Sequence, residues 1–279
     1  GIEGFCYWHY WFGNGKVLLE RPMREMISTG APRFPFCVAW ANESWTGRWH
    51  GLDSKVLQEQ TYPGLDDAKE HFYYLLDAFA DDRYIRVENK PLLVIYRPYQ
   101  IPNASAYFET FRNLAEAEGL GGLYILGFTD TRLYNYADYL LDGLIYSGFS
   151  LVLNEARNGS GNLGALLRQI TMIAKGNINA PKNVFTYQTA SHAWMKYPDY
   201  DFEYYPVVFP NWDNSPRCGK DAVIITNSTP VLWKNHLMSA FRRVKNRKYE
   251  KRIVFIKSWN EWAEGNYLEP DQRYGNAYL

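Results

Sequence analysis

Much that would announce a function is missing from this sequence. Cysteine is scarce: Cys6, Cys37 and Cys218 make an odd count of three with no close pairing pattern. That excludes a disulfide framework and fits a reducing, cytoplasmic compartment better than an oxidising one. The five histidines, His9, His50, His71, His192 and His236, show no metal-ligand spacing, so no metal is expected. No glycine-rich loop ends in Lys-Ser or Lys-Thr to cradle a nucleotide phosphate, and no cofactor is expected. Lys and Arg number 30 and Asp and Glu 30, a formal net charge of zero. That balance gives no electrostatic case for nucleic acid or an anionic membrane surface. No apolar run approaches the ~20 residues of a membrane-spanning helix.

What is present is apolar and ring-rich. Over 279 residues, 47% are hydrophobic and 22% charged, which excludes disorder and allows a large core. The length suits one large α/β barrel or two ordinary domains. Aromatic residues reach 17%, with 10 Trp and 23 Tyr. They fill either a Tyr-rich core or a ring-lined cleft, where the C–H face of a sugar packs on an indole. The chain opens on Gly1 without an initiator Met and stops at Leu279 in mid-pattern. It therefore reads as an excerpt of a longer protein, truncated at both ends, whose leader region lies outside it.

Seven short apolar runs have the continuous character of strands buried on both faces. They are Gly4–His9, Pro35–Trp40, Leu92–Tyr96, Leu123–Phe128, Gly143–Ser147, Pro206–Pro210 and Ile253–Ser258. Helical patterns lie between most of them, at Leu18–Ser28, Asp66–Ala80, Ala104–Glu118, Leu163–Lys175 and Val231–Lys248. This alternation predicts a parallel sheet with right-handed crossovers. Seven βα units without a front piece predict an α/β, (β/α)₈ TIM-type barrel lacking its first strand, as a single domain over residues 1–279. A doubly wound open sheet is the alternative. The Tyr- and Asp-rich stretch Tyr187–Tyr205 reads as an excursion.

Position decides between core and cleft for the tryptophans. Trp8 and Trp11 end the first run, Trp40, Trp45 and Trp49 the second, Trp212 the sixth, and Trp259 and Trp262 the seventh. Core packing would scatter Trp through strands and helices alike. Crowding at strand C-terminal ends points to the face where barrel enzymes bind substrates. The strongest local signal is Ser258-Trp259-Asn260-Glu261-Trp262-Ala263-Glu264, where a strand runs out into two glutamates three residues apart. On a helical turn such residues share a face, with Cβ atoms ~5–6 Å apart. Glycoside chemistry needs two carboxyl groups, one for the leaving oxygen and one near the anomeric carbon. The competing reading is a solvated acidic helix start.

A second strand end carries Trp40-Ala41-Asn42-Glu43-Ser44-Trp45, followed by Arg48. Asn-Glu thus occurs twice. Its plain reading is an Asn turn with a Glu43–Arg48 surface ion pair. Its functional reading is an amide and a carboxylate gripping sugar hydroxyls. Trp8-His9-Tyr10, Tyr96-Arg97 and Trp212-Asp213 follow the same rule, offering rings to stack and polar groups to bind a neutral polyol. Other motifs fail. Gly159-Ser-Gly-Asn-Leu-Gly164 matches a dinucleotide fingerprint but does not follow a strand directly, and reads as a loop. Asp199-Tyr200-Asp201 matches a metal-holding D-x-D, which chance supplies readily.

The motifs Gly4–Phe12, Phe36–Thr46, Lys90–Pro98, Phe209–Arg217 and Ser258–Pro270 closely resemble the WbsX-like proteins, in the same order and across essentially the whole chain. These are often encoded in bacterial O-antigen and capsule clusters, with a domain similar to glycoside hydrolase family 99. The resemblance implies a (β/α)₈ barrel and a polysaccharide or oligosaccharide substrate. It also implies a retaining mechanism with no metal and no covalent enzyme intermediate. In it Glu264 is the general acid/base, and Glu261 deprotonates the sugar 2-hydroxyl, which attacks C1 to give a 1,2-anhydro sugar. Where the hydrolases often carry His, this chain has Ala263. WbsX-like proteins are also labelled glycosyltransferases of O-antigen and lipopolysaccharide biosynthesis. Hydrolase, transferase and non-catalytic glycan-binding barrel therefore all stay open.

Overall fold

The computed structural model describes residues 1–47, 52–129, 136–158, 181 and 183–279. They divide into two compact units, Gly1–Ile145 with Phe202–Tyr204, and Tyr146–Asp201 with Tyr205–Leu279.

In the first unit the expected apolar runs become strands. β1 (Phe5–Trp11), β2 (Val17–Leu18) and β3 (Phe36–Trp40) precede a hairpin of β4 (Trp45–Gly47) and β5 (Leu52–Gln58). β6 (Arg86–Val87), β7 (Lys90–Ile95), β8 (Tyr124–Thr129) and β9 (Gly143–Tyr146) follow. The sheet order is β9-β8-β7-β3-β1-β2. β1, β3, β7 and β8 run parallel, with Cys6 opposite Cys37, Trp40 opposite Ile95 and Leu93 opposite Ile125. Every residue of β3 is buried, as a strand covered on both faces requires. Cys6 is exposed, Cys37 buried and Cys218 intermediate, and no two of them form a disulfide.

Helices α1 (Arg21–Thr29), α2 (Leu65–Ala80) and α3 (Ala104–Ala117) separate the strands. α2 begins with Asp66 and Asp67 in its first turn, where negative charge complements the helix dipole. It buries Ala68, His71, Phe72, Leu75, Ala78 and Phe79, one stripe at helical period. α3 buries Tyr107, Phe108 and Phe111. Each fully buried Phe of this pair is worth about 1.5–3 kcal/mol of apolar burial.

The second unit contains α4 (Phe149–Asn158), β10 (Asn183–Thr186), α5 (Tyr187–Trp194), β11 (Tyr204–Val208), β12 (Trp212–Asp213), β13 (Val223–Thr226) and α6 (Pro230–Val244). β14 (Phe255–Ile256), β15 (Asn260–Glu261) and β16 (Asn266–Tyr267) complete it. β11 pairs in parallel with β14, β10 with β13, and β15 forms an antiparallel hairpin with β16. α6 opens with Pro230, and the Thr229 side chain accepts from the Leu232 N–H, a proline-started, threonine-capped terminus.

Three expectations change. Tyr187–Tyr205 is not a plain excursion, because its first eight residues form α5 and bury Tyr187, Ala190, Ala193 and Trp194. Burial at helical spacing there overrides modest aromatic helix propensity. The expected strand Ile253–Ser258 shrinks to Phe255–Ile256. The β4–β5 hairpin and α4 were not anticipated. The expected helix Leu163–Lys175 and the glycine motif at 159–164 lie outside the described residues.

Candidate active site

The first unit assembles one polar cluster where β3 and β7 end. The Tyr96 N–H donates to the Trp40 carbonyl, and one step further the ladder is continued by a side chain. Asn42 Oδ1 accepts from the Arg97 N–H at 2.7 Å, and Asn42 Nδ2 donates to the Arg97 carbonyl at 2.8 Å. The amide thus imitates a backbone peptide. Nδ2 also donates to the Tyr62 hydroxyl at 3.0 Å, and that hydroxyl donates to the Asn42 carbonyl at 3.1 Å. Burial pushes the Tyr62 hydroxyl up to about 12, against the opposing effect of its bond with Asn42.

Asn42 holds Arg97 by its backbone, leaving the guanidinium to reach outward. Arg97 Nε meets Glu43 at 3.4 Å, and its terminal nitrogens donate to the Tyr99 and Tyr96 hydroxyls at 2.6 and 3.2 Å. The guanidinium also lies 4.5 Å from the Tyr96 ring centroid, a cation–π contact. Trp8 stands edge-on to Tyr96 at 5.4 Å and remains 48% exposed. Tyr10 and Trp45 meet edge-to-face at 5.1 Å. Arg48 lies outside the described residues.

Three predicted contacts in this unit, His9, Trp40 and Asn42, are inside the protein. His9 Nε2 lies 2.9 Å from His71 Nε2, and His71 Nδ1 lies 3.0 Å from the Tyr107 hydroxyl. Burial holds His9 at about 3, with Arg24 adding to the effect. Trp40 is 1% exposed, donates through Nε1 to the Trp11 carbonyl and stacks on Tyr107 at 5.5 Å. His9 and Trp40, with the fully buried Asn42, face no solvent in this structure. Their burial supports a bracing role in place of the direct sugar contact first assigned to them. The reason is that β3 and the end of β1 are covered on both sides, so nearness to a strand end did not imply display.

The second unit holds the carboxylate pair. After β14 the chain enters the β15–β16 hairpin, where Ser258 Oγ donates to the Asn266 carbonyl at 2.6 Å and accepts from the Glu261 N–H at 3.2 Å. A 3₁₀ turn, Trp262–Glu264, follows and ends at Gly265 with φ 52°. A Cβ at Gly265 would come within 2.9 Å of the Asp213 backbone. Both the left-handed conformation and that approach require glycine here. Glu261 stands immediately before this turn and Glu264 is its last residue.

They meet a common cation. Arg217, on the single helical turn Ser215–Cys218, places one terminal nitrogen 3.1 Å from Glu261 and the other 3.2 Å from Glu264. Lys257 Nζ reaches Glu264 at 3.5 Å and lies 4.4 Å from the Trp212 ring centroid. Glu264 thus meets two cations, Arg217 and Lys257, while Glu261 shares Arg217 with it. Of the two carboxylates, Glu264 is the more enclosed, with 15% of its side chain exposed against 33% for Glu261.

The remaining predicted residues here divide by exposure. Asn260 and Trp262 are exposed, whereas Asp213 and Trp259 are intermediate. Asp213 Oδ1 accepts from the Ser215 N–H and so shapes the turn that carries Arg217. Trp212 is buried against Phe149 and Trp194, so its ring floors the cluster instead of facing a ligand. Arg217 and Lys257 were missed. Arg217 ends the motif Phe209–Arg217, and its inclusion in that stretch was the available signal. Among the described residues, no group of three or more His, Cys, Asp or Glu is arranged to hold a metal. Among them too, no helix is long and apolar enough to cross a membrane.

The chain thus combines a parallel α/β fold with a paired-carboxylate hairpin beside tryptophans. In fold it is similar to a family 99 endo-α-mannosidase from Bacteroides thetaiotaomicron, with a TM-score of 0.50 and 15% identity, covering 96% of this chain and 65% of that one. A glycoside hydrolase-like protein is similar with a TM-score of 0.55 and 11% identity, covering 98% of this chain and 79% of that one. The family described as Glycosyltransferase WbsX matches residues 1–279, and the chain belongs to it. The uncharacterized protein WxcX of Xanthomonas campestris pv. campestris strain B100 is 31% identical over 280 residues. WxcX of a second strain matches equally well. The chain spans 38% of the length of these curated relatives.

Proposed function

We propose that this chain is a retaining glycoside hydrolase or transglycosylase domain acting on α-linked mannose-type or related bacterial surface glycans. The observation that carries the reading is the pair Glu261 and Glu264, bridged by one guanidinium on an indole-flanked hairpin. Glu264, the more enclosed, donates a proton to the leaving glycosidic oxygen as the C1–O bond breaks. Glu261 takes the proton of the 2-hydroxyl, whose oxygen closes onto C1 to form a 1,2-anhydro sugar. Water then attacks C1, giving a proton to Glu264, while O2 recovers its proton from Glu261. Two inversions at C1 give net retention, and the carboxylates end as they began.

Substrate gripping is assigned to Trp8, Tyr10, Glu43, Trp45, Arg48, Tyr96 and Arg97 from the first unit. Asp213, Trp259, Asn260 and Trp262 are assigned to it from the second. We further propose that residues 1–279 form one (β/α)₈ barrel domain, a reading supported by the alternation of strands and helices and by the family 99 fold likeness. A glycosyltransferase is the second reading, favoured by the description of the family. Incubation with purified bacterial surface polysaccharide, with and without a nucleotide sugar, separates the two. Shortened glycan without a donor is the expected result. Extension that depends on the donor would sink hydrolysis in favour of transfer.

A further inference from the structure

The motif around the carboxylates continues to Pro270, six residues beyond Glu264, and catalysis by Glu261 and Glu264 gives that extension no task. The structure does. Trp262 stacks on Tyr267 with ring centroids 3.6 Å apart and planes 12° from parallel. Aromatic pairs left to themselves favour offset or edge-on arrangements at greater separation. Here the β15–β16 hairpin imposes the overlap, since Trp262 directly follows β15 and Tyr267 ends β16. The edge of the indole is pinned as well, its Nε1–H donating to Glu269 at 2.5 Å. Glu269 is itself fixed, because the N–H groups of Leu268 and Glu269 both donate to the Trp259 carbonyl, at 2.8 and 3.0 Å. Tyr267 is tied through its N–H to Asn211 at 2.9 Å and through its hydroxyl to Asp271 at 3.3 Å.

Trp262 is nevertheless 50% exposed. With one face covered by Tyr267, its exposed area lies on the other side and along the rim. A large apolar ring displayed to water is informative when two separate contacts hold it rigid, because rigidity lowers the entropic cost of binding. The ring sits between Glu261 and Glu264 in sequence, on the turn that Glu261 precedes and Glu264 ends.

We propose that the open face of Trp262 is a stacking subsite for the C–H face of a pyranose ring, with Tyr267 and Glu269 as its positioning residues. This rests on the carbohydrate reading above but not on which reaction the carboxylates perform.

The test uses the full chain labelled with 5-fluorotryptophan. The Trp262 fluorine resonance is identified by its loss in Trp262→Phe. Methyl α-mannopyranoside, methyl α-glucopyranoside and methyl α-galactopyranoside are titrated in separately, with glycerol as a polyol that has no ring face. At least one pyranoside is expected to move the Trp262 resonance saturably while glycerol leaves it in place. Glu269→Ala is expected to displace the resonance without sugar and to weaken binding about threefold to tenfold. Glu269→Gln keeps an acceptor oxygen and is expected to restore both. A resonance unmoved by all three pyranosides would overturn the subsite. Wild-type behaviour in Glu269→Ala would overturn the positioning role. If the polysaccharide assay shows no hydrolysis while the sugar-induced shift persists, the catalytic reading fails and the subsite stands.

Discussion

The dipeptide Asn-Glu ends two strands of this protein, and the two copies are used in opposite ways. After β3, Asn42 is fully buried and spends its amide on the Arg97 backbone, while Glu43 lies nearer solvent beside the Arg97 guanidinium. After β14, Asn260 is the exposed member and Glu261 is drawn toward Arg217. The backbone accounts for the difference. β3 continues its parallel partnership with β7 past the last residue, so the next amide is captured by the ladder. The chain after β14 leaves its neighbour and turns into a hairpin held by Ser258, which sends the amide outward and the carboxylate toward the cation. The same dipeptide buries its amide in one place and displays it in the other. Sequence neighbours alone do not decide which.

The comparison breaks most visibly at the carboxylates. Glu261→Gln removes the base of the proposed reaction while keeping side-chain size, and turnover should fall by about 10²–10⁴-fold. The assay is polysaccharide shortening at saturating substrate, with circular dichroism showing an intact fold. Turnover within a few-fold of wild type would remove Glu261 from the chemistry. Next in size is Arg217→Ala, which leaves Glu261 and Glu264 with Lys257 as the remaining nearby cation among those described. A loss of about 10–100-fold is expected, partly restored by added guanidinium ion, which refills the fork. Arg217→Lys should stay impaired, because one ammonium cannot present two parallel donors. Failure of guanidinium to restore any activity would make the arginine a merely structural support.

The third effect falls on stability and should separate the two asparagines. Asn42→Ala strips the Arg97 N–H and carbonyl of their partners inside the protein. It should cost about 2–4 kcal/mol in urea unfolding, since each stranded buried group costs about 1–3 kcal/mol. Asn260→Ala, at an exposed position, should stay within about 0.5 kcal/mol of wild type. Equal losses would erase the distinction between framework and display.

These contrasts show what was legible in the sequence. Strands β3, β7, β8 and β9 were readable because burial on both faces writes a continuous apolar run. β1 was readable as an apolar run although it buries only His9 and Trp11. Helices α2 and α3 were readable because burial on one side writes a 3.6-residue period. α5 was hidden, since its buried Tyr187 and Trp194 sit in a stretch whose Tyr and Asp content resembles a loop. The carboxylate pair was visible as two acids among indoles at a strand end. Arg217 was not, because the cation that organises the pair lies 47 residues from Glu264 in the chain. Exposure at strand ends was over-read for His9, Trp40 and Trp212, where covering layers extend past the last strand residue.

A fourth prediction concerns acid, where the two units should behave alike. His9 in the first unit and His236 in the second are each held at about 3 by burial, below the ordinary value of 6.5. A folded value below the unfolded one means the unfolded chain binds the extra proton. Stability is therefore complete above pH 6.5 and is lost as pH falls toward 3. Between pH 6.5 and 4.5 each histidine should remove about 2–3 kcal/mol. His236→Leu should flatten the second unit's share of that slope in urea titrations at several pH values. An unchanged slope would mean that His236 already titrates normally in the folded protein.

The smallest expected change is the most discriminating for the first strand end. Glu43 faces Arg97 at 3.4 Å, with 44% of its side chain exposed. A solvent-screened pair of this kind is worth about 0–1 kcal/mol. Arg97 also keeps its bonds to Tyr96 and Tyr99 when Glu43 is neutralised. Glu43→Gln should therefore leave urea stability within about 1 kcal/mol of wild type while Asn42→Ala, one residue earlier, does not. If Glu43 grips a sugar hydroxyl as proposed, the same variant raises KM and leaves kcat nearly unchanged, the signature of lost uniform binding. A fall in kcat at constant KM would instead place Glu43 in the chemistry. The two copies of Asn-Glu would then share a role that their burial pattern denies them.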